Sequence, residues 1–125
     1  MPATLQLDVP RQLVHVTFSG DVTDDEVLGL QRALHQTPEA EPWWQALVDF
    51  SAADRMHLTA GAIRELGARS RFTAESRIAI VAPRDALYGV ARMVELMHPG
   101  PCGIMVFRDR ESAVAWLDDE RRTTS

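Results

Sequence analysis

The residues that could carry out chemistry are few and lie far apart in the chain. Cys102 is the only cysteine, and it stands between Pro101 and Gly103 with no basic residue beside it. A reactive thiol needs a neighbouring cation or base that lowers its pKa. We therefore interpret Cys102 as a buried structural residue. A single cysteine also excludes an intramolecular disulfide and any zinc site that needs two thiolates.

The histidines give no better support for a metal or catalytic site. The chain has four, at spacings that form no helical pair of ligands: His15, His35, His57 and His98. The sequence also lacks a glycine-rich phosphate loop and the GxSxG, HExxH and CxxC motifs. We predict no metal, no cofactor and no enzyme activity. One catalytic hypothesis remains, in which Asp49, His57 and Arg84 act together, and no motif favours it.

Anion binding at the loops that follow the strands is a further hypothesis. Open α/β sheets bind ligands outside the carboxyl ends of their strands. Three such segments pair a carboxylate with an arginine, and they are residues 49–59, 83–85 and 108–111. Arg84 and Arg108 in these loops are candidate anion contacts at helix N-termini, and Arg92 on the third helix is a candidate contact for the acidic end of a ligand. In the alternative, Thr59, Asp85 and Asp109 are N-caps and the arginines are solvated partners.

Composition limits the class of protein. The 125 residues are 46% apolar and 25% charged, which is typical of one soluble domain spanning residues 1–125. A net charge of -5 argues against a nucleic-acid binder, since phosphate neutralisation needs a dense basic face. No basic leader opens the sequence, and no run approaches about 18 apolar residues. We expect a cytoplasmic protein with no membrane span.

Hydrophobic periodicity predicts how the chain begins. Residues 4–9 and 13–18 alternate apolar with polar side chains, which is typical of half-buried strands. The short Pro10-Arg11 connection predicts an antiparallel hairpin. We expect residues 20–22 to break the second strand, and Thr23 with Glu26 to form a capping box at the start of a helix.

The rest of the chain alternates strands with helices. Apolar runs at residues 46–50 and 77–82 predict short strands buried on both faces, and residues 104–107 predict the last strand. Helices follow from Thr59, Asp85 and Asp109, and Pro99-Gly100-Pro101 closes the third of the four. Residues 118–125 are polar and predict a frayed tail. The fold class is therefore α/β, a mixed five-stranded sheet with an N-terminal antiparallel hairpin and four helices.

The third helix carries more apolar surface than docking on a sheet requires. Between Asp85 and about Met97 only Asp85, Gly89, Arg92 and Glu95 are not apolar, whereas one-sided docking needs a stripe of about 100°. Intrachain core, a protein partner or second copy, or an apolar ligand could cover the excess. The candidate surface residues are Met56, Leu87, Tyr88, Val90, Met93, Val94 and Met97. Of the adjacent Trp43 and Trp44, we expect one to be covered and the other partly exposed.

In this order of elements the chain resembles the STAS domain, and more closely the stage II sporulation protein AA-like branch. The segments that carry the resemblance are LVHVTFSG at 13–20, LVDFS at 47–51, RIAIVAP at 77–83, YG at 88–89 with ARM at 91–93, and VFRDRESAVAWL at 106–117. The resemblance implies a non-catalytic regulatory module, such as an anti-sigma-factor antagonist or a transporter regulatory module. It also suggests kinship with lipid-carrying folds of similar layout, which is an analogy of fold.

In the antagonists a serine within Asp-Ser-Ser-Gly, at the start of the second helix, is phosphorylated and switches binding. Here the matching stretch is Leu58-Thr59-Ala60-Gly61, so the resemblance makes Thr59 a candidate phosphorylation site, while Leu58 and Ala60 depart from the pattern. The alternative role of Thr59 is an N-cap.

Two functional hypotheses follow. In the first, the chain is a non-catalytic module that contacts a protein partner, or forms a homodimer, through its second and third helices. In the second, it is a small carrier or sensor that holds an apolar or amphipathic, lipid-like ligand between the third helix and the sheet, with Arg84 or Arg92 at the ligand's acidic end. The second hypothesis predicts a cavity, which a filled core would exclude, and its predicted lining residues are Leu87, Val90, Met93, Val94 and Met97.

Overall fold

The computed structural model describes residues 3–68, 72–73, 76–97 and 102–124, and side chains as far as residue 119. His98 and the predicted helix stop at residues 99–101 lie outside this range. The elements follow the predicted order and are β1 (Ala3–Asp8), β2 (Leu13–Thr23), α1 (Asp24–His35), β3 (Gln45–His57), α2 (Ala60–Ala68), β4 (Arg77–Val81), α3 (Asp85–Met97), β5 (Gly103–Phe107) and α4 (Arg110–Thr124).

The five strands form one mixed sheet in the order β1-β2-β3-β4-β5. The N-terminal hairpin is confirmed, because β1 and β2 pair antiparallel with Leu5 opposite Val16. Its turn closes when the Gln12 N–H donates to the Val9 carbonyl at 3.0 Å, and Gln12 takes a positive φ of 54°. All later neighbours are parallel, as strand–helix alternation requires. The predicted fold class is confirmed.

Two predicted strand boundaries are wrong, and both strands are longer than expected. β2 does not break at residues 20–22, and β3 continues seven residues past Phe50 to His57. The two strands pair as far as Thr23 opposite His57, with register shifts that absorb the irregular stretch. Bulges destroy the two-residue alternation from which strands are predicted. Gly20, with φ of 67°, supplies the left-handed backbone at one shift.

The sheet separates two apolar clusters. The larger cluster lies between the sheet and α1, α2 and α3, and Val14, Phe18 and Phe50 are among its buried members. The smaller cluster lies under α4 and includes Leu47, Val81 and Leu117. Because β3 and β4 contribute to both clusters, they are buried on both faces, as their unbroken apolar runs predicted.

The start of α1 differs from prediction, and α4 continues to Thr124 through residues predicted to be a frayed tail. Thr23 is the N-cap of α1, but its side chain makes no capping hydrogen bond, so the predicted Thr23–Glu26 capping box is wrong. Thr23 is also the last residue of β2 and lies opposite His57 in the sheet. Three carboxylates in the first turn, Asp24, Asp25 and Glu26, instead complement the helix dipole.

Aromatic side chains at the entrance to β3 take the two predicted environments. Trp44 is 5% exposed and joins the larger cluster, whereas Trp43 is 47% exposed. Trp43 lies in a turn that the Trp44 N–H closes by donating to the Glu41 carbonyl at 3.0 Å, so the two adjacent side chains need not share one environment. Cys102 is buried and forms no disulfide, in line with its interpretation as a structural residue.

Candidate functional site

An apolar cavity of about 150 Å³, partly open to solvent, lies within the larger cluster, between the sheet and helices α1, α2 and α3. All five strands contribute to its floor, among them Leu5, Val16, Val48, Ile80 and Ile104. Well-packed interiors contain few voids larger than a water molecule. A void of this volume, with an apolar wall, is therefore a candidate binding site.

Each of the three helices supplies part of the roof. Val27, Leu30 and Leu34 reach the cavity from α1, and Leu66 reaches it from α2. Ala91 and Val94 lie one helical turn apart on α3 and complete the roof. These side chains are the apolar stripes by which the helices dock, so the cavity arises where three stripes meet the sheet without filling the space.

Two aromatic rings stiffen one wall. Phe18 on β2 and Phe50 on β3 stack with ring centroids 5.0 Å apart and planes inclined by 8°. Both rings are buried and both line the cavity. Stacked aromatic pairs add about 0.5–1.5 kcal/mol beyond the burial of their area.

Gln31 is the one polar side chain among the described residues that line the cavity. Its Nε2 donates to the Leu66 carbonyl at 2.7 Å and so joins α1 to the last turn of α2. Gln31 also lines an outer groove between α1 and α2 that Arg32, His35 and Glu65 border. The amide therefore stands between the apolar interior and a charged surface groove.

The structure places the candidate surface residues in different environments. Met56 and Val94 line the cavity. Met56 lies on β3 rather than in the predicted loop. Leu87 is buried, and Tyr88 and Val90 pack half-buried against the larger cluster.

Two methionines of α3 lie elsewhere. Met93 is 45% exposed to solvent, and Met97 is half-buried. Neither lines the cavity, so the apolar excess of α3 is shared between interior and surface.

The three candidate anion contacts do not converge. Arg108 Nη1 donates to Asp85 Oδ1 at 2.5 Å, and its guanidinium lies 4.0 Å from the centroid of the Tyr88 ring. Arg92 forms an ion pair with Glu95 on its own helix. Arg84 is exposed. The Arg108–Asp85 pair joins the loop after β5 to the start of α3, and none of the three arginines lines the cavity.

The catalytic hypothesis fails on distance. Asp49 and His57 lie on the same strand, and a rise of about 3.3 Å per residue separates them by about 25 Å. Asp49 accepts the Ser51 N–H at 2.8 Å and faces Arg110 Nη1 at 3.5 Å, so its carboxylate is engaged. Asp49, His57 and Arg84 therefore do not form one site.

A polar cluster occupies the opposite face of the sheet beside the start of α4. Arg110 Nη2 donates to His15 Nδ1 at 3.3 Å while Nη1 faces Asp49. This contact requires the His15 ring to be an acceptor at Nδ1, which is the neutral form. Burial first, and the Arg110 charge second, lower the pKa of His15 below its usual 6.5.

Stability should therefore fall as the pH drops below about 6.5, since the unfolded chain binds the His15 proton more readily than the folded chain. We expect a decrease of less than about 1 kcal/mol, because His15 is only half-buried and water screens Arg110. Urea unfolding between pH 7.5 and 5.5 measures it. H15Q lacks the imidazole, so its loss of stability between pH 7.5 and 5.5 should be smaller than that of the wild type. An identical pH dependence of stability in H15Q and the wild type would contradict the assignment of this loss to His15.

Thr59 ties the starts of two helices together. Its Oγ1 accepts the Ala62 N–H at 3.1 Å and thus caps α2. The same hydroxyl donates to Asp24 Oδ2 at 2.7 Å, and the Thr59 N–H donates to Asp24 Oδ1 at 2.9 Å. Phosphorylation of Thr59 stays a prediction from the resemblance, and a phosphate there would require the Asp24 carboxylate to move away.

The substitution T59A should destabilise the protein by about 1–2 kcal/mol, because it removes an N-cap bond and leaves Asp24 without the hydroxyl. T59S retains the hydroxyl and is the matched control, with an expected loss under about 0.5 kcal/mol. Chemical denaturation measures both variants. Equal stabilities of T59A and T59S would show that the cap contributes nothing.

Among the residues that the structure describes, no three His, Cys, Asp or Glu side chains are placed to hold a metal ion. In the same part of the chain, no helix has both the length and the apolar character needed to span a bilayer.

Most of the cavity wall was not predicted from the sequence. The hypothesis placed a ligand between α3 and the sheet, and of its five predicted lining residues only Val94 lines the cavity. Much of the wall is instead supplied by α1, the N-terminal strands and the Phe18–Phe50 stack. The apolar stripe of α1 was visible in the sequence. Whether three stripes fill the space above a sheet depends on helix positions, which periodicity does not determine.

A mixed sheet with an antiparallel N-terminal hairpin, three helices on one face and one on the other, defines a STAS-type α/β module. The SpoIIAA-like family model matches residues 13–118, and the chain belongs to the SpoIIAA-like family. This family has the fold of STAS-type regulatory modules.

One solved structure is similar along nearly the whole chain. It is the crystal structure of an uncharacterised Shewanella loihica protein with a SpoIIAA-like fold, 20% identical in sequence, with a TM-score of 0.64. The match covers 92% of this chain and 93% of that one. At this identity the likeness concerns the fold alone. No curated protein matches the chain significantly.

Proposed function

We propose that the protein is a non-catalytic, cytoplasmic STAS-like module that binds an apolar or amphipathic small molecule in the cavity between the sheet and α1–α3. The observation that supports the proposal is the cavity itself, about 150 Å³, with Gln31 as the one polar side chain among the described residues that line it. Burial of apolar ligand surface is the available driving force, since these described lining residues include no charged group.

The volume limits the ligand. An engineered apolar cavity of about 150 Å³ in another protein stays dry and binds benzene. A short alkyl chain or one aromatic ring is therefore the apolar part that fits without rearrangement. A polar end would be satisfied at Gln31, whose amide is the nearest hydrogen-bonding group of the cavity wall.

The regulatory side of the proposal depends on the three helices. Each helix contributes to the cavity roof, so a ligand would contact α1, α2 and α3 at once. A ligand stabilises whichever arrangement of the roof it binds best. Binding of a ligand in the cavity would thus alter the outer surfaces of α2 and α3.

A second candidate function is contact with a protein partner, or with a second copy, through α2 and α3. Exposed apolar side chains favour it, since Met93 is 45% and Leu96 72% exposed on α3. Exposed apolar patches are common at protein contacts. In hydrogen exchange this candidate predicts concentration-dependent protection of the described parts of residues 60–97.

Native mass spectrometry of gently purified protein, followed by thermal unfolding with added hexan-1-ol, tests the ligand proposal. We expect a non-covalent apolar mass that denaturation releases, or a melting temperature that rises with hexan-1-ol by mass action. Hexane-1,6-diol is the matched control, because its second hydroxyl is hard to bury. An apo species that hexan-1-ol stabilises no better than the diol would overturn the proposal.

A further inference from the structure

A side chain of α3 covers part of the outer edge of β5. β5 has one neighbour, β4, and is therefore an edge strand of the sheet. Exposed strand edges present unpaired backbone groups to which another strand can add. The residues of α3 that pass beside β5 determine whether this edge is available.

The hydrogen bonds to β4 establish which backbone groups point outward. The Gly103 N–H donates to the Ser76 carbonyl at 3.3 Å, and the Ala82 N–H donates to the Phe107 carbonyl at 2.8 Å. Backbone groups alternate in direction along a strand, so those of Ile104 and Val106 point away from β4.

Glu95 of α3 occupies one of these outward groups. Its Oε1 accepts the Val106 N–H at 2.9 Å, and its Oε2 is held by the Arg92 guanidinium one turn earlier on the helix. The Glu95 side chain is 15% exposed. A carboxylate that accepts from a backbone amide and from an arginine is held by two charge-assisted bonds.

We propose that Glu95 is a guard residue, and that the edge it covers is a pairing surface for a second copy of this chain. The strand itself is self-complementary. If two β5 strands pair antiparallel about a two-fold axis through Met105, Ile104 faces Val106 of the other copy, so the outward groups meet as hydrogen-bonded pairs. Glu95 must leave Val106 before that pairing can form.

The side chains around the edge favour a second copy over a charged partner. Met105 is 41% exposed on β5, and Met93 and Leu96 are exposed on the adjoining α3. β5 has the sequence GIMVF, without the lysine, proline or inward charge that commonly protects an edge strand. Glu95 supplies the protection from a neighbouring element. The inference is independent of the cavity ligand.

Sedimentation velocity of E95A tests the proposal, with E111A as the matched control. Glu111 lies exposed on α4, so the control removes the same charge and leaves the β5 edge closed. We expect E95A to dimerise about tenfold to a hundredfold more tightly than the wild type and E111A, as loss of a charged hydrogen-bond competitor predicts. Equal association of E95A and E111A would overturn the proposal.

A charged residue in place of Met105 tests the register of the proposed pairing between two β5 strands. Two copies of E95A/M105E would place like charges opposite each other and should be monomeric, as should E95A/M105R. Mixing the two should restore a heterodimer. A persistent E95A/M105E dimer would place the interface elsewhere and overturn the proposal.

If E95A does not fold, R92A carries the test, because it keeps the Glu95 carboxylate but removes its anchor. The expected shift has the same direction and a smaller size. Val106 amide exchange in dilute protein should be faster in R92A than in the wild type. An R92A protein with unchanged exchange and unchanged association would contradict the guard role.

Discussion

F50A should lower the free energy of unfolding by about 3–5 kcal/mol, the usual loss for truncating a buried phenylalanine. Phe50 is 5% exposed, stacks on Phe18 and forms part of the cavity wall. The substitution therefore removes a stacked pair and enlarges a void that the native protein already tolerates. In a domain stabilised by about 5–15 kcal/mol, this loss is a large fraction of the total. Urea denaturation measures it.

The enlarged cavity gives F50A a second property. Benzene should raise the melting temperature of F50A more than that of the wild type, because a ring of the same size has been removed from the wall. F107A is the matched control, since Phe107 packs against Trp116 on the opposite face of the sheet, 5.7 Å between centroids. If benzene stabilised F107A as much as F50A, the cavity would not be the binding site.

The sequence predicts the sheet better than the site, and the reason is physical. Apolar runs such as Ile78–Val81 require burial on both faces, whatever surrounds them, so strand order and fold class follow from local patterns. β3 exceeded its predicted end because Ser51, Ala52 and Asp54 are exposed and polar or small, as in a loop. Only pairing with β2 keeps them in a strand, and pairing is not a local property.

The site depends on distances between elements that are remote in sequence. Gln31 meets Leu66 across 35 residues, and Asp24 meets Thr59 across the same separation. The types and local spacing of these residues in the sequence do not predict the contacts.

Two of the three predicted N-caps at the later helices are confirmed, since Thr59 caps α2 and Asp109 caps α4 by accepting the Ser112 N–H at 2.7 Å. These bonds from Ser112 lower the pKa of Asp109, as expected of a carboxylate that caps a helix. The third is wrong, because Asp85 is the first residue of α3 and its carboxylate pairs with Arg108.

Two buried alanines on opposite faces of the sheet offer the sharpest test of the cavity. Ala91 of α3 is 1% exposed and lines the cavity, whereas Ala113 of α4 is 0% exposed within the smaller cluster. Leucine adds three carbon atoms at either position, and both residues are helical, so backbone propensity changes little. The difference between A91L and A113L thus reports the space that each face has available.

We expect A91L to change the free energy of unfolding by less than about 1 kcal/mol, because the added atoms enter an existing void. A113L should lose about 1–3 kcal/mol, the usual effect of overpacking a filled core. For ligand binding we expect the opposite order of effects. A91L should weaken hexan-1-ol binding at least about tenfold, equivalent to about 1.4 kcal/mol, because the added atoms occupy the volume that the ligand needs. A113L should bind as the wild type does.

Thermal unfolding with titrated hexan-1-ol measures both quantities in one series. Equal destabilisation of A91L and A113L would show that the roof is packed as tightly as the α4 face, and the ligand proposal would then lose its site. A91L that is stable yet binds hexan-1-ol like the wild type would place binding on the outer surface of the helices. Only the combination of tolerated packing and lost binding assigns the ligand to the space beneath Ala91, and it does so with every polar group of the protein unchanged.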